Sequence, residues 1–459
     1  MTEKTLPSGY SRIMIIRWSL RVLLFGCMGI STPASAQPGI QSVPQHTQSA
    51  RGEPARLDRP TGPFSVGRVG YHWIDSKRSN RFATHGQTRR ELMVYVWYPS
   101  SSRPRDVEGP YLPGATEMEA DPALKRQMRN EFGVHWPSIV TRVITSHASE
   151  GAQTTPKPKR LPVVIFSHGN GSTGFNYSSL IEDLASNGYV VAAIEHTHTA
   201  VAVRFPGGKI VPFQAQKMPA GLSRAEGLKF MMITATAAIA EGAADIQFVK
   251  ERLAQLNAAD SRQFALARRL DMKRVAAMGH SAGGAFATRA CQLDSTIAAC
   301  VNLDGGMPPV AVLPVFADAA VMKQPLLLVE PQATESSIFG TKEEIQAYLQ
   351  KKDQQLQSSA RGSYHVILKS PGIAHPSFSD TPMFFAGTDG YPPINEVRHN
   401  HRLVQSFVRA FLDKTLNRRK TPLLDESSRV HSEAIVQRYG LKSGQTLGGA
   451  TPFKQIGNN

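Results

Sequence analysis

VAAMGHSAGGAFA, residues 275–287, sets Ser281 between two glycines, after an apolar run and before an alanine-rich one. Gly279-His280-Ser281-Ala282-Gly283 fits the pattern G-x-S-x-G, and its flanks place it between a strand and a helix. A sharp turn of this kind needs glycines where neighbouring elements pass too close for a Cβ. It also lifts the serine oxygen off the end of the strand, above a helix N-terminus. A serine hydroxyl is a weak nucleophile by itself, so the chemistry requires a base, an acid to orient that base, and donors for an oxyanion. The bland alternative is a glycine-rich turn that holds one more serine.

Upstream, LPVVIFSH (161–168) is apolar almost throughout, as a strand covered on both faces is, and a glycine-rich loop follows it. His168-Gly169-Asn170-Gly171 reads as an oxyanion loop in which the Asn170 N–H is one donor and the Ala282 N–H the other. Downstream, His375 in SPGIAHPSFSD lies in a Gly/Pro loop after the last apolar strand and is taken as the base, following the chain order Ser, acid, His. His280 adjoins the serine, but a strand-to-turn geometry directs it elsewhere. His196 and His198 come earlier in the chain, and an HTH pair without further ligands does not make a metal site. Two carboxylates compete as the acid. Asp304, in NLDGG, ends the strand after the serine's helix, and Glu330, in PLLLVE, ends the next one. Spacing does not choose between them.

From residue 161 onward strands and helices alternate, which predicts an α/β fold with a mostly parallel sheet and helices on both faces. YSSLIEDLASNG is a helix stopping at Gly188, YVVAAIEH a strand, and ATAAIAEGAADIQFVKERLAQL part of a long helix. AACVNLD and PLLLVE are strands, TKEEIQAYLQKKDQQL a charged helix, SYHVILK the last strand and RHNHRLVQSFVRAFLDKTL the last helix. Earlier, SVGRVGYHWI and ELMVYVWYP read as two further strands, and 110–160 as a partly helical inserted segment over or near the site. The expected organisation is a signal peptide at 1–36, a flexible leader at 37–60, one α/β-hydrolase domain at 61–418 and a loosely structured tail at 419–459.

LPVVIFSHGNGSTGFNYSSLIEDLASNGYVVAAIEHTHTA, VAAMGHSAGG, VNLDGG and IAHPSFSD, together with TGPFSVGRVGYHWID and LMVYVWYPS, resemble the plasma-type platelet-activating factor acetylhydrolases and their bacterial relatives. These belong to the α/β-hydrolase superfamily, near the dienelactone hydrolase-like enzymes. The likeness runs from about residue 61 to 415 with the motifs in order. It implies a serine ester hydrolase without metal or cofactor, acting on short-acyl or lipid-like esters. It assigns Ser281, His375 and Asp304 as the triad, Asn170 and Ala282 as oxyanion donors, and so prefers Asp304 to Glu330. Gly305-Gly306 departs from the bulky residues of the mammalian members and implies a differently shaped acyl pocket. The other readings are hydrolysis of polyester or dienelactone-type esters, and a catalytically silent binding protein on the same fold.

A 459-residue chain with 41% hydrophobic and 19% charged residues has material for a large core. Its formal charge of +16 is carried by residues scattered along the sequence, with no helix-long stripe and no aromatic interleaving. Nucleic acid is therefore not expected as a partner, and a weak attraction to an anionic membrane surface is. Arg12, Arg17 and Arg21 precede the apolar run VLLFGCMGI, and Ala34-Ser35-Ala36 offers a cleavage site, so the protein is expected to be exported to the periplasm or secreted. A second reading is a lipoprotein anchored through Cys27. Cys291 and Cys300 are either a local disulfide or two small buried apolar side chains.

Overall fold

Val163 and Ile165 point to one side of their strand and Val164 and Phe166 to the other, and all four are buried. A strand with two apolar faces must lie in the middle of a sheet covered on both sides. The computed structural model describes residues 56–81, 89–101, 108–259, 264–306, 323–332, 350, 352–354, 356–388, 390–425 and 432–439. The expected signal peptide with Cys27, most of the leader, most of the charged helix at 341–356 and the chain end after 439 lie outside the described residues.

In chain order the strands are β1 (Ser65–Ser79), β2 (Arg89–Ser100), β3 (Glu108–Pro110), β4 (Thr145–Glu150), β5 (Leu161–Ser167) and β6 (Val190–Glu195). A small ribbon follows, β7 (Ala202–Arg204) with β8 (Ile210–Pro212). Then come β9 (Leu270–His280), β10 (Ala299–Leu303), β11 (Leu326–Pro331), β12 (Ser363–Leu368) and β13 (Ala434–Tyr439). The main sheet runs β13-β12-β11-β10-β9-β5-β6-β2-β1-β4-β3. Its centre, from β12 to β6, is parallel. On one face lie α2 (Arg224–Ala258) and α3 (Ala282–Leu293), with Ile246, Val249 and Phe286 in the core. On the other lie α1 (Ser178–Ser186) and α4 (Ile394–Leu416), with Ile181, Phe407 and Phe411. This is the architecture of an α/β hydrolase.

The long helix starts well before its apolar period does, because Ser223 and Glu226 form a reciprocal capping box. The inserted segment is helical in part, and it also adds a strand that the sequence does not announce: Thr145–Glu150 pairs in parallel with β1 and widens the sheet, although TSHASE carries no apolar alternation. One expectation is corrected. SYHVILK is not the last strand, since Ala434–Tyr439, placed by the sequence in a loosely structured tail, pairs antiparallel with β12 over six residues. Cys291 and Cys300 are both free and buried.

The chain leaves β5 towards β6 on one side and later takes up β9 on the other. Two neighbouring parallel strands thus send their following segments to opposite faces, which opens a crevice at their carboxyl ends. Ser281 follows β9 and the 168–171 loop follows β5, so both are delivered to that crevice.

Candidate active site

Ser281 adopts φ 55° and ψ −123°, a left-handed value that costs a non-glycine residue about 1–3 kcal/mol. The turn is held from both sides. Its N–H donates to the Leu303 carbonyl (3.0 Å), and its carbonyl accepts from the N–H groups of Gly284 (3.0 Å) and Ala285 (3.2 Å). A Cβ at Gly279 would overlap the Gly283 carbonyl, and one at Gly283 would overlap the Ser167 carbonyl. Both glycines are therefore demanded by backbone packing, as the sequence pattern implies. Gly283→Ala is expected to cost about 3 kcal/mol or more, as a severe overpacking substitution does, and to lower the midpoint of thermal unfolding by about four degrees or more in a domain of this size. A variant melting within about two degrees of the parent would refute the close approach.

His375 lies just after β12, and its Nδ1–H donates to Asp304 Oδ2 at 2.6 Å. Asp304 follows β10 directly, at φ 48°, with its N–H given to the Val329 carbonyl (2.7 Å). Burial pushes its carboxyl above the usual carboxylate range, and His375 offsets part of that. Glu330 is engaged elsewhere, by His365 Nε2 (2.9 Å) and Lys352 Nζ (2.5 Å). Burial would raise its pKa, but those two partners outweigh it and bring it down to about 2. Of the two candidate acids, Asp304 is thus the one that meets His375. Ser281 and His375 are both half-buried and remain open to solvent. The glycines after Asp304 divide in role. A Cβ at Gly305 would lie 2.5 Å from the Ser281 carbonyl oxygen, whereas one at Gly306 would meet nothing within 4 Å among the described residues.

His280 is buried, accepts from the Tyr177 hydroxyl at Nδ1 (2.8 Å) and sets its ring 4.5 Å from that of His375, tilted by 40°. Burial, together with the proximity of His375, holds its pKa well below the usual histidine value, so it stays neutral. Tyr177 also accepts the Gly169 N–H (3.0 Å), which ties the loop after β5 to the histidine wall. Within that loop His168 Nδ1–H donates to the Gly169 carbonyl (2.7 Å), and its Nε2 accepts the His196 N–H (3.2 Å). Burial brings His168 down to about 3. A trans peptide points its C=O and N–H in opposite directions, so pinning the Gly169 carbonyl also fixes the direction of the Asn170 N–H. Asn170 is exposed at the loop tip, and Gly169 packs against Ser281, where a built Cβ would lie 3.4 Å from the serine Cβ.

Several residues that the sequence reading passed over hold this loop. His196 lies between Asp245 (2.8 Å) and Ser167 Oγ (2.9 Å), with Arg90 on the far side of Asp245 (2.5 Å). All four are buried, so the HTH histidine belongs to an internal hydrogen-bond network. Against the penalty of burial, the Arg90 charge and the His196 hydrogen bond keep Asp245 ionised. Glu131, from the inserted segment, accepts from Ser172 Oγ (3.0 Å) and Asn176 Nδ2. Glu195 accepts from Thr173 Oγ1 (2.9 Å) and the Gly174 N–H (2.8 Å). No spacing rule marks these residues, because a buried acid looks like a surface acid in the sequence.

Burial raises Glu195 to about 7 despite those two hydrogen bonds. A folded-state pKa above the unfolded value means that the native protein holds a proton the unfolded chain gives up. The stability so gained is present below about pH 4.5 and lost as pH climbs through 7. Glu195→Gln removes this titration. The unfolding free energy of the variant minus that of the parent is expected to rise by about 3 kcal/mol between pH 4.5 and 8, read by urea titration at each pH. A difference independent of pH would refute the burial argument.

The profile of the family described as platelet-activating factor acetylhydrolase, isoform II, matches residues 50–218 and 231–388. A probable 1-alkyl-2-acetylglycerophosphocholine esterase of Arthroderma benhamiae is 26% identical over 259 residues, 55% of this chain and 59% of that protein. The platelet-activating factor acetylhydrolase of Canis lupus familiaris is 27% identical over 176 residues, 33% of this chain and 36% of that one. The chain therefore spans at most 59% of the length of these curated relatives. Among solved structures, a ferulic acid esterase from Streptomyces cinnamoneus matches with a TM-score of 0.61 and 27% identity, covering 83% of this chain and 99% of that one.

Proposed function

The chain belongs to the platelet-activating factor acetylhydrolase, isoform II, family, and on that premise we propose that it hydrolyses carboxylic esters through Ser281, His375 and Asp304. The observation that carries this reading is a histidine that is hydrogen-bonded to a carboxylate at 2.6 Å and whose ring lies 4.5 Å from that of His280, the residue before a serine held at φ 55°. In the proposed reaction His375 takes the Ser281 proton as the serine oxygen attacks the ester carbonyl. Asp304 fixes the imidazole with Nδ1 protonated and stabilises its cation. The Asn170 and Ala282 N–H groups receive the oxyanion, and His375 returns its proton to the departing alcohol. Water deprotonated by the same histidine then releases the acid from the acyl-enzyme, so the chemistry is complete without a cofactor.

Short-acyl or lipid-like esters are the proposed substrates, in line with the names of the relatives. Esters of aromatic acids are the second reading, favoured by the likeness to a ferulic acid esterase. A panel of p-nitrophenyl esters from two to sixteen carbons, with a feruloyl ester beside it, separates the two. Highest kcat/KM at two to four carbons is expected. A feruloyl ester preferred over every alkyl ester would replace the first reading with the second. No hydrolysis of any ester, together with no labelling of Ser281 by a fluorophosphonate, would leave a binding protein on this fold. Export of the protein is likewise proposed, on the residue 1–36 pattern.

A further inference from the structure

The basic residues that look scattered in the sequence are not scattered in space. PKPKR (156–160), RRLDMKR (268–274) and NRRK (417–420) hold ten Lys and Arg, and the fold gathers all three at one end of the sheet. The Leu161 N–H donates to the Arg269 carbonyl (2.8 Å), and the Arg274 guanidinium reaches both the Arg160 carbonyl (3.2 Å) and Asn417 Oδ1 (2.7 Å). Asp271 pairs with Arg274 (2.8 Å) and Asp413 with Arg419 (3.2 Å). Lys157, Lys159, Lys273 and Lys420 are exposed and have no carboxylate partner among the described residues. A cleft of about 430 Å³ opens between Lys273, Arg274, Asn417 and Arg418.

We propose that this end of the molecule is a docking face for the anionic phospholipid headgroups of a bilayer. Cations spread over two strand starts and a helix end fit a planar array of charges better than one bound phosphate. The three stretches contain no aromatic residue, so they lack the stacking platforms with which proteins hold single-stranded nucleic acid. Each basic residue held within about 8 Å of such a surface strengthens attachment about fivefold. The face lies at the amino ends of β5 and β9, while Ser281 follows the carboxyl end of β9; the stretch of β9 between them is paired with Leu161–Ser167 of β5, which puts Ser281 roughly 25 Å away. The docked protein thus turns the Ser281 crevice towards solution, so esters dissolved in the medium, rather than lipids of the same bilayer, reach it.

The test is cosedimentation of the full chain with phosphatidylglycerol/phosphatidylcholine vesicles. Expected is binding at about 0.05 M salt that is lost at about 0.5 M. Lys159→Glu, Lys273→Glu and Lys420→Glu together should weaken it about 100-fold or more, while the three Lys→Arg changes preserve it. Hydrolysis of p-nitrophenyl acetate should be the same in all three proteins. Should charge reversal lower the melting temperature, the Lys→Gln set replaces it with the same loss expected. Binding by the charge-reversed protein equal to the parent's, or no binding by the parent at low salt, overturns the proposal. Displacement by poly(U) at equal phosphate concentration also overturns it, in favour of a nucleic acid.

Discussion

Ser281→Ala is expected to lower kcat on a p-nitrophenyl ester by about 10⁵- to 10⁶-fold, with KM nearly unchanged. The loss corresponds to about 7–8 kcal/mol of barrier, because no other group in the crevice replaces the attacking oxygen in the proposed reaction. Binding persists because the crevice walls and the N–H groups of Asn170 and Ala282 stay in place, and those donors leave a residual rate above that in water. Misfolding is not a route to the same result. Alanine meets the same backbone strain at φ 55° as serine does, and the hydrogen bonds that hold the turn all come from the backbone. The melting temperature should therefore match the parent's. A variant within tenfold of the parent in kcat would remove Ser281 from the mechanism and leave the turn as packing.

Asp304→Asn should cost about 10⁴-fold in kcat. The amide keeps the shape of the carboxylate but can present its NH₂ to His375 Nδ1, which favours the tautomer whose Nε2 carries the proton and so cannot take one from serine. Glu330→Gln is the matched control. It keeps an oxygen for His365 and Lys352 but removes the negative charge that faces the largely buried Lys352 ammonium, so it should lower stability by about 3 kcal/mol while leaving kcat within tenfold. The two outcomes cross: one variant is stable and slow, the other less stable and active. If Glu330→Gln proved the slow one, the acid would have to be reassigned to the later strand.

That choice shows where the sequence stops being legible. The nucleophile turn could be read because its glycines answer to local geometry, and the central strands because both their faces are apolar. Asp304 and Glu330 end neighbouring parallel strands one step apart in the sheet, and only the path of the loop after β12 decides which of them His375 meets. Family resemblance chose Asp304; spacing could not. The edges of the sheet were harder still. Thr145–Glu150 has no apolar period, and its strand exists because β1 and β3 offer it partners on both sides. The supports of the 168–171 loop were invisible for another reason. Glu131, Glu195 and Asp245 are common polar letters until the fold takes water away from them. The charge distribution misled in the same way: three short basic stretches are separated by more than a hundred residues each, yet share one end of the molecule.

The outermost strand on the β3 side has a consequence for how the protein behaves in a crowded solution. An open sheet edge is a template on which a stray extended segment can add itself and begin an aggregate. Here the edge is three residues long and ends in Pro110, which has no N–H to offer an incoming chain. A long, wide sheet of this kind would otherwise be a seed for fibrous association. Shortness and one imino acid blunt it, and the protection stands at the margin farthest in strand order from β13.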